Sequence, residues 1–152
     1  MSKTYIHYGY KQFDPQLFEI PTNRPWKNKP NGGLWASETD APYGWEAWCK
    51  ENEFRLCDKD NSFEFEIKDG ANIVELNSIE DLDKIAFIIP DCRHSGIPSL
   101  PVDFEKMCHD GVDAIVFNIS KDGRLYWRLY GWDCDCILVL NPEVIIPHNT
   151  TK

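Results

Sequence analysis

"SFEFEIKDGANIVELNSIEDLDKIA", residues 62–86, contains the decisive alternation of the chain. Phe63, Phe65 and Ile67 fall on one face of an extended segment, and Glu64 and Glu66 on the other, which is the pattern of a half-buried strand. "ANIVELNS" (71–78) predicts a second strand. From Ser78 the pattern changes. "SIEDLDKIA" predicts a helix with Ser78 as N-cap and Asp81 at the capping-box position, where Glu is the commoner partner.

Outward from this stretch the same mixture recurs. "TYIHYGY" (4–10) alternates and predicts a strand, "DPQLFEI" (14–20) a linker or helical turn, and "PTNRPWKNKPNGG" (21–33) a proline-broken loop. "LWAS" (34–37) predicts a strand entered from flexible glycines. "APYGWEAWCKENEF" (41–54) carries Trp45, Trp48 and Cys49 at helical spacing, with Pro42 near its start. "PVDFEKMCHDG" (101–111) predicts a short helix ended by Gly111. "VDAIVFNIS" (112–120) and "RLYWRLYGW" (124–132) flank the turn signal "KDG", which predicts a hairpin. "CILVLNPEVII" (136–146) predicts a buried strand, a proline turn and a last extended piece. Many short strands interrupted by a few short helices imply a single-domain α+β fold.

With 152 residues the chain suits one domain, and a hydrophobic fraction of 42% excludes a disordered one. Asp and Glu number 25 against 16 Lys and Arg, a net charge of -9 that disfavours duplex nucleic acid as a partner. Arg24, Lys27 and Lys29 gather before the glycines; they suit a phosphorylated small molecule, or are a solvated loop. No apolar run approaches a membrane span and the N-terminus has no signal-like stretch, so the expected location is cytoplasmic, without membrane, and the six cysteines are expected to be reduced thiols.

Candidate chemistry clusters in three places. His7, flanked by Tyr8 and Gly9, can donate from either ring nitrogen beside an aromatic wall, or is a packed structural histidine. In "GGLWAS", Gly33 lets the chain close, Trp35 offers an indole for stacking and Ser37 a small hydroxyl. In "GWDCDC", Asp133 and Asp135 share a face if the chain is extended; they are a catalytic pair or surface charges. The spacings of Cys92, His94, Cys108 and His109 do not suit structural zinc, so no metal is expected.

The succession of "YIHYGY", "GGLWAS", a Trp-rich helix, "IVELNSIEDLDKI" and a final strand after "GWDCDC" resembles the ADP-ribosyltransferase-like superfamily. The resemblance implies a split, mostly antiparallel sheet holding NAD in a central cleft. It implies NAD as substrate, with ADP-ribose moved to a protein, nucleic acid or small-molecule acceptor and nicotinamide released. The first strand has no Arg, so the likeness is to the histidine-bearing branch, with His7 contacting the dinucleotide and Ser37 shaping the nicotinamide pocket. Asp135 is implied as the acid that stabilises the ribosyl cation and Asp133 as its companion, with Asp where the superfamily usually has Glu. The alternative is a non-catalytic acidic protein, an inhibitor or immunity factor that neutralises a basic partner through exposed aromatic residues.

Overall fold

A computed structural model of the chain describes residues 3–24, 27–88 and 101–148. Seven strands form one open sheet: β1 (Tyr5–Tyr8), β2 (Leu34–Glu38), β3 (Ser62–Ile67), β4 (Ile73–Leu76), β5 (Ala114–Phe117), β6 (Cys136–Val139) and β7 (Ile145–Pro147). Their order is β4-β5-β6-β2-β1-β3-β7. Each neighbouring pair is antiparallel except β4 and β5. That parallel pair needs a long crossover, and the connection carries a 3-10 helix (Ile79–Lys84) and α2 (Phe104–His109). The other α-helices among the described residues are α1 (Trp45–Glu51) and α3 (Leu125–Arg128), and short 3-10 helices lie at Pro15–Leu17, Lys59–Asn61 and Pro142–Val144. The α+β class with a mostly antiparallel sheet is what the alternating segments predict.

The sheet carries a core on each face. Alternation sends Ile115 and Phe117 of β5 to one side with Leu138, Trp132 and Phe104, and Ala114 and Val116 to the other with Phe65, Ile137 and Val139. Strand β5 is therefore buried at all four positions. Complete burial of Phe65, Phe117 and Leu138 contributes about 1.5–3 kcal/mol for each side chain. On β3 the predicted alternation holds, with Phe63 and Phe65 buried and Glu64 exposed.

Local signals mostly hold as well. Asp81 accepts hydrogen bonds from the amides of Asn77 and Ser78, so the capping box forms, although the segment winds as 3-10 rather than α. Asp103 caps α2, and Gly111 follows it at φ +85°, a conformation that favours glycine. The predicted hairpin after β5 does not form. Leu125–Arg128 is instead helix α3, with Leu125 and Leu129 fully buried one turn apart while Trp127 and Tyr130 face outward. "RLYWRLYGW" satisfies both periods at once, and burial of Leu125 and Leu129 selects the helical one. Cys92 and His94 lie outside the described residues, as does most of the loop at 90–101. Among the described residues no helix is long and apolar enough to cross a membrane, and Cys49, Cys57, Cys108, Cys134 and Cys136 are free thiols.

Candidate functional site

The sheet opens between β1 and β2. Strand β1 pairs with β3 along its whole length, Tyr5 to Tyr8, but with β2 at only two residue pairs, Tyr5 with Glu38 and Ile6 with Ser37. Strand β2 meanwhile holds β6 through Leu34, Trp35 and Ala36. At the point of separation the ring of His7 takes over from the backbone ladder, with Nδ1 2.6 Å from the carbonyl oxygen of Trp35. A carbonyl only accepts, so Nδ1 carries the proton and donates. Burial lowers the His7 pKa against a smaller opposing effect of that bond, which keeps the ring neutral near pH 7. Nε2 is then a bare acceptor. Of the two donating nitrogens expected from the sequence, one is committed internally and the other accepts.

Around this seam lies a cavity of about 250 Å³ whose wall includes His7, Tyr8, Trp35, Ser37 and Asp133. The first two strands and the approach to β6 thus bring together five of the eight residues singled out from the sequence. Trp35 is half-buried and meets Trp132 edge-on, with ring centres 4.8 Å apart, and Lys29 Nζ lies 5.7 Å from its ring centre. The Tyr8 hydroxyl donates to Glu46 at 2.8 Å, which leaves its ring as wall and its oxygen engaged. Ser37 is buried, donates to the carbonyl of Asp135 at 2.8 Å and accepts from the amide of Trp45 at 2.9 Å. That second bond caps α1, whose own N-cap, Gly44, has no side chain to do so. A Cβ on Gly44 would come within 3.0 Å of Ser37 Cβ, so glycine there allows the close approach.

The two acids part company. Residues 134 and 135 form a bend ahead of β6 rather than an extended strand, so Asp133 and Asp135 do not share a face as predicted. Asp135 is 2% exposed, and its carboxylate accepts from the amides of Tyr43 at 3.1 Å and Ser120 at 2.9 Å. Its backbone amide also donates to the Tyr43 carbonyl. Asp135 therefore ties three segments together, and Asp133 is the acid on the cavity wall.

The two glycines are likewise divided. Gly33 has φ +76°, and a Cβ there would sit 2.7 Å from Leu138 Cδ1 and 3.2 Å from the Val139 carbonyl oxygen. Gly33 is needed for close packing against β6, not as the flexible hinge the sequence suggests. It borders a second cavity that also includes His7. Gly9, at φ +127°, donates its amide to the Asn61 carbonyl, and its missing Cβ would lie 3.7 Å from His7 Nε2.

The chain matches no protein-family model, no curated protein and no solved structure.

Several wall residues escape the sequence reading. Arg55 joins Lys29 as a second cation, and Trp45, Trp132, Cys134 and Cys136 complete the apolar side. Lys29 belongs to the basic cluster noted before the glycines; Arg55 carried no signal, because it follows α1 in a segment without regular structure. Contact with Cys134, and then burial, push the Cys136 thiol well above its ordinary pKa. It stays protonated at neutral pH and is not an activated nucleophile. Among the described residues the wall thus offers aromatic faces, one acceptor imidazole, two cations and one carboxylate.

Proposed function

We propose that the protein cleaves the nicotinamide–ribose bond of NAD and transfers ADP-ribose to an acceptor. The observation that supports this reading is the composition of the cavity at the β1–β2 seam. Trp35 supplies an indole face for the nicotinamide ring, and His7 Nε2 an acceptor for a ribose hydroxyl. Lys29 and Arg55 supply positive charge for the pyrophosphate. About 250 Å³ lies at the small end of ligand pockets, which span about 300–1,000 Å³. It fits the nicotinamide riboside part, with the adenosine part outside the cavity.

The reaction follows from charge. The C1′–N bond breaks with its electron pair passing to the pyridinium nitrogen, so nicotinamide leaves neutral and C1′ becomes an oxocarbenium ion. The acceptor's lone pair then forms the new bond to C1′, and its proton is lost to solvent. Asp133, the acid on this wall, stabilises the cation as it develops, and a preorganised carboxylate in a partly desolvated site does this more effectively than water. Asp135 acts as a positioning residue through Ser37 and the bend.

Calorimetry with NAD, followed by measurement of released nicotinamide, tests the reading. Binding in the micromolar to millimolar range and turnover lost in Asp133→Asn are expected. Intact protein that neither binds nor cleaves NAD removes the proposal. In that case the acidic binding protein stands, a reading favoured by the exposure of Trp127 (70%) and Tyr130 (64%) on and beside α3.

A further inference from the structure

The second cavity, about 260 Å³, lies against Gly32, Gly33 and Leu34 on the other side of His7, and among the described residues His7 alone borders both cavities. Its wall is a run of rings in mutual contact. Tyr10 stacks on His7 with centres 5.9 Å apart and planes 12° apart, His7 meets Phe63 at 5.3 Å, and Phe63 meets Phe13 at 6.0 Å. Among the described residues the charged ones on this wall are Asp14 and Glu19, with no Lys or Arg. The first cavity has Lys29 and Arg55 against Asp133. Two cavities sharing one imidazole thus carry opposite electrostatic character.

We propose that the second cavity binds an arginine side chain of a basic polypeptide. A guanidinium is flat, weakly hydrated and stacks on aromatic faces, and its fork of N–H donors matches a carboxylate. Tyr10 and Phe13 supply the faces, and Asp14 and Glu19 the counter-charge. Asp14 keeps one oxygen on the amide of Gln16 and retains acceptor capacity on the carboxylate. The neutral His7 ring adds a face without adding repulsion. The net charge of -9 draws a basic chain toward the surface, and the ring-lined cavity selects guanidinium among its side chains. This site holds for an enzyme and for a binding protein alike.

The test is titration of the full chain with a tetra-arginine peptide, followed by calorimetry and amide chemical-shift mapping. Shifts are expected at Gly32, Gly33 and Leu34 and around Tyr10. Tyr10→Ala should weaken binding about threefold, and the pair Asp14→Asn and Glu19→Gln about tenfold, with NAD binding unchanged. Glu19→Gln alone should weaken it severalfold and keeps the test valid if a companion change impairs folding. A tetra-lysine peptide should bind several times more weakly. The control Glu53→Gln with Asp60→Asn removes the same charge away from the cavity. Equal loss in that control, equal affinity for the two peptides, or shifts confined to other surfaces would overturn the assignment.

Discussion

His7 Nδ1 and the carbonyl oxygen of Trp35, 2.6 Å apart, join β1 to β2 where their ladder ends. One side chain closes the seam of the sheet and also lines both cavities. Its titration is therefore tied to the fold. Burial lowers the folded-state pKa, so the unfolded chain takes up a proton near its ordinary value of about 6.5 before the folded chain does. Stability from this group is present above that value and is lost as pH falls below it, at no more than about 1.4 kcal/mol per pH unit.

Thermal melts between pH 7.5 and 5.5 should accordingly show a falling midpoint in the native protein and a flatter profile in His7→Gln. Asp81, Asp110 and Asp122 are held below the usual carboxylate range by their hydrogen-bond partners, so their contributions are lost at more acid pH than this window. Identical slopes for the two proteins would show that His7 does not carry the effect.

Asp135→Asn and Asp133→Asn should separate folding from chemistry. The Asp135 carboxylate faces two backbone donors, and an amide can present an acceptor to only one of them. A loss of about 1.5–3 kcal/mol is expected from urea midpoints. Asp133→Asn should leave stability within about 0.5 kcal/mol and lower nicotinamide release on the order of a hundredfold. The opposite assignment of the two effects would return the reacting carboxylate to Asp135.

Ser37→Ala removes the acceptor for the Trp45 amide and the donor to the Asp135 carbonyl together. The expected cost is about 1–3 kcal/mol, the range for unpairing a buried polar group. Helicity of α1 should fall in amide exchange. A variant as stable as the native protein would mean that water replaces the hydroxyl without loss.

Trp35 belongs to both the wall of the first cavity and the packing around Trp132. Trp35→Ala should cost about 3 kcal/mol, the lower end for large aromatic truncations, because the side chain is half-buried. NAD affinity of the folded fraction should fall as well, and Trp35→Phe should restore part of both. Stability lost with affinity for NAD intact would leave Trp35 a packing residue alone.

Local physics settled much of this protein in its sequence. Alternation in "SFEFEI" placed Phe63 and Phe65 inside, the spacing of Asp81 from Ser78 set a capping box, and Gly111 ended α2. These depend on neighbours a few residues apart, which the sequence displays directly. His7, Trp35 and Ser37 were legible as neighbours on one cavity wall because each lies on a strand with a clear period. The division between Asp133 and Asp135 was not. It depends on amides from Tyr43 and Ser120, distant along the chain, and on a bend that cancels the alternation. Arg55 reaches the wall from an irregular segment after α1, and the helical state of Leu125–Arg128 is decided by the burial of Leu125 and Leu129. Periodicity is a property of adjacent residues, whereas the partner of a buried carboxylate is set only when remote segments meet.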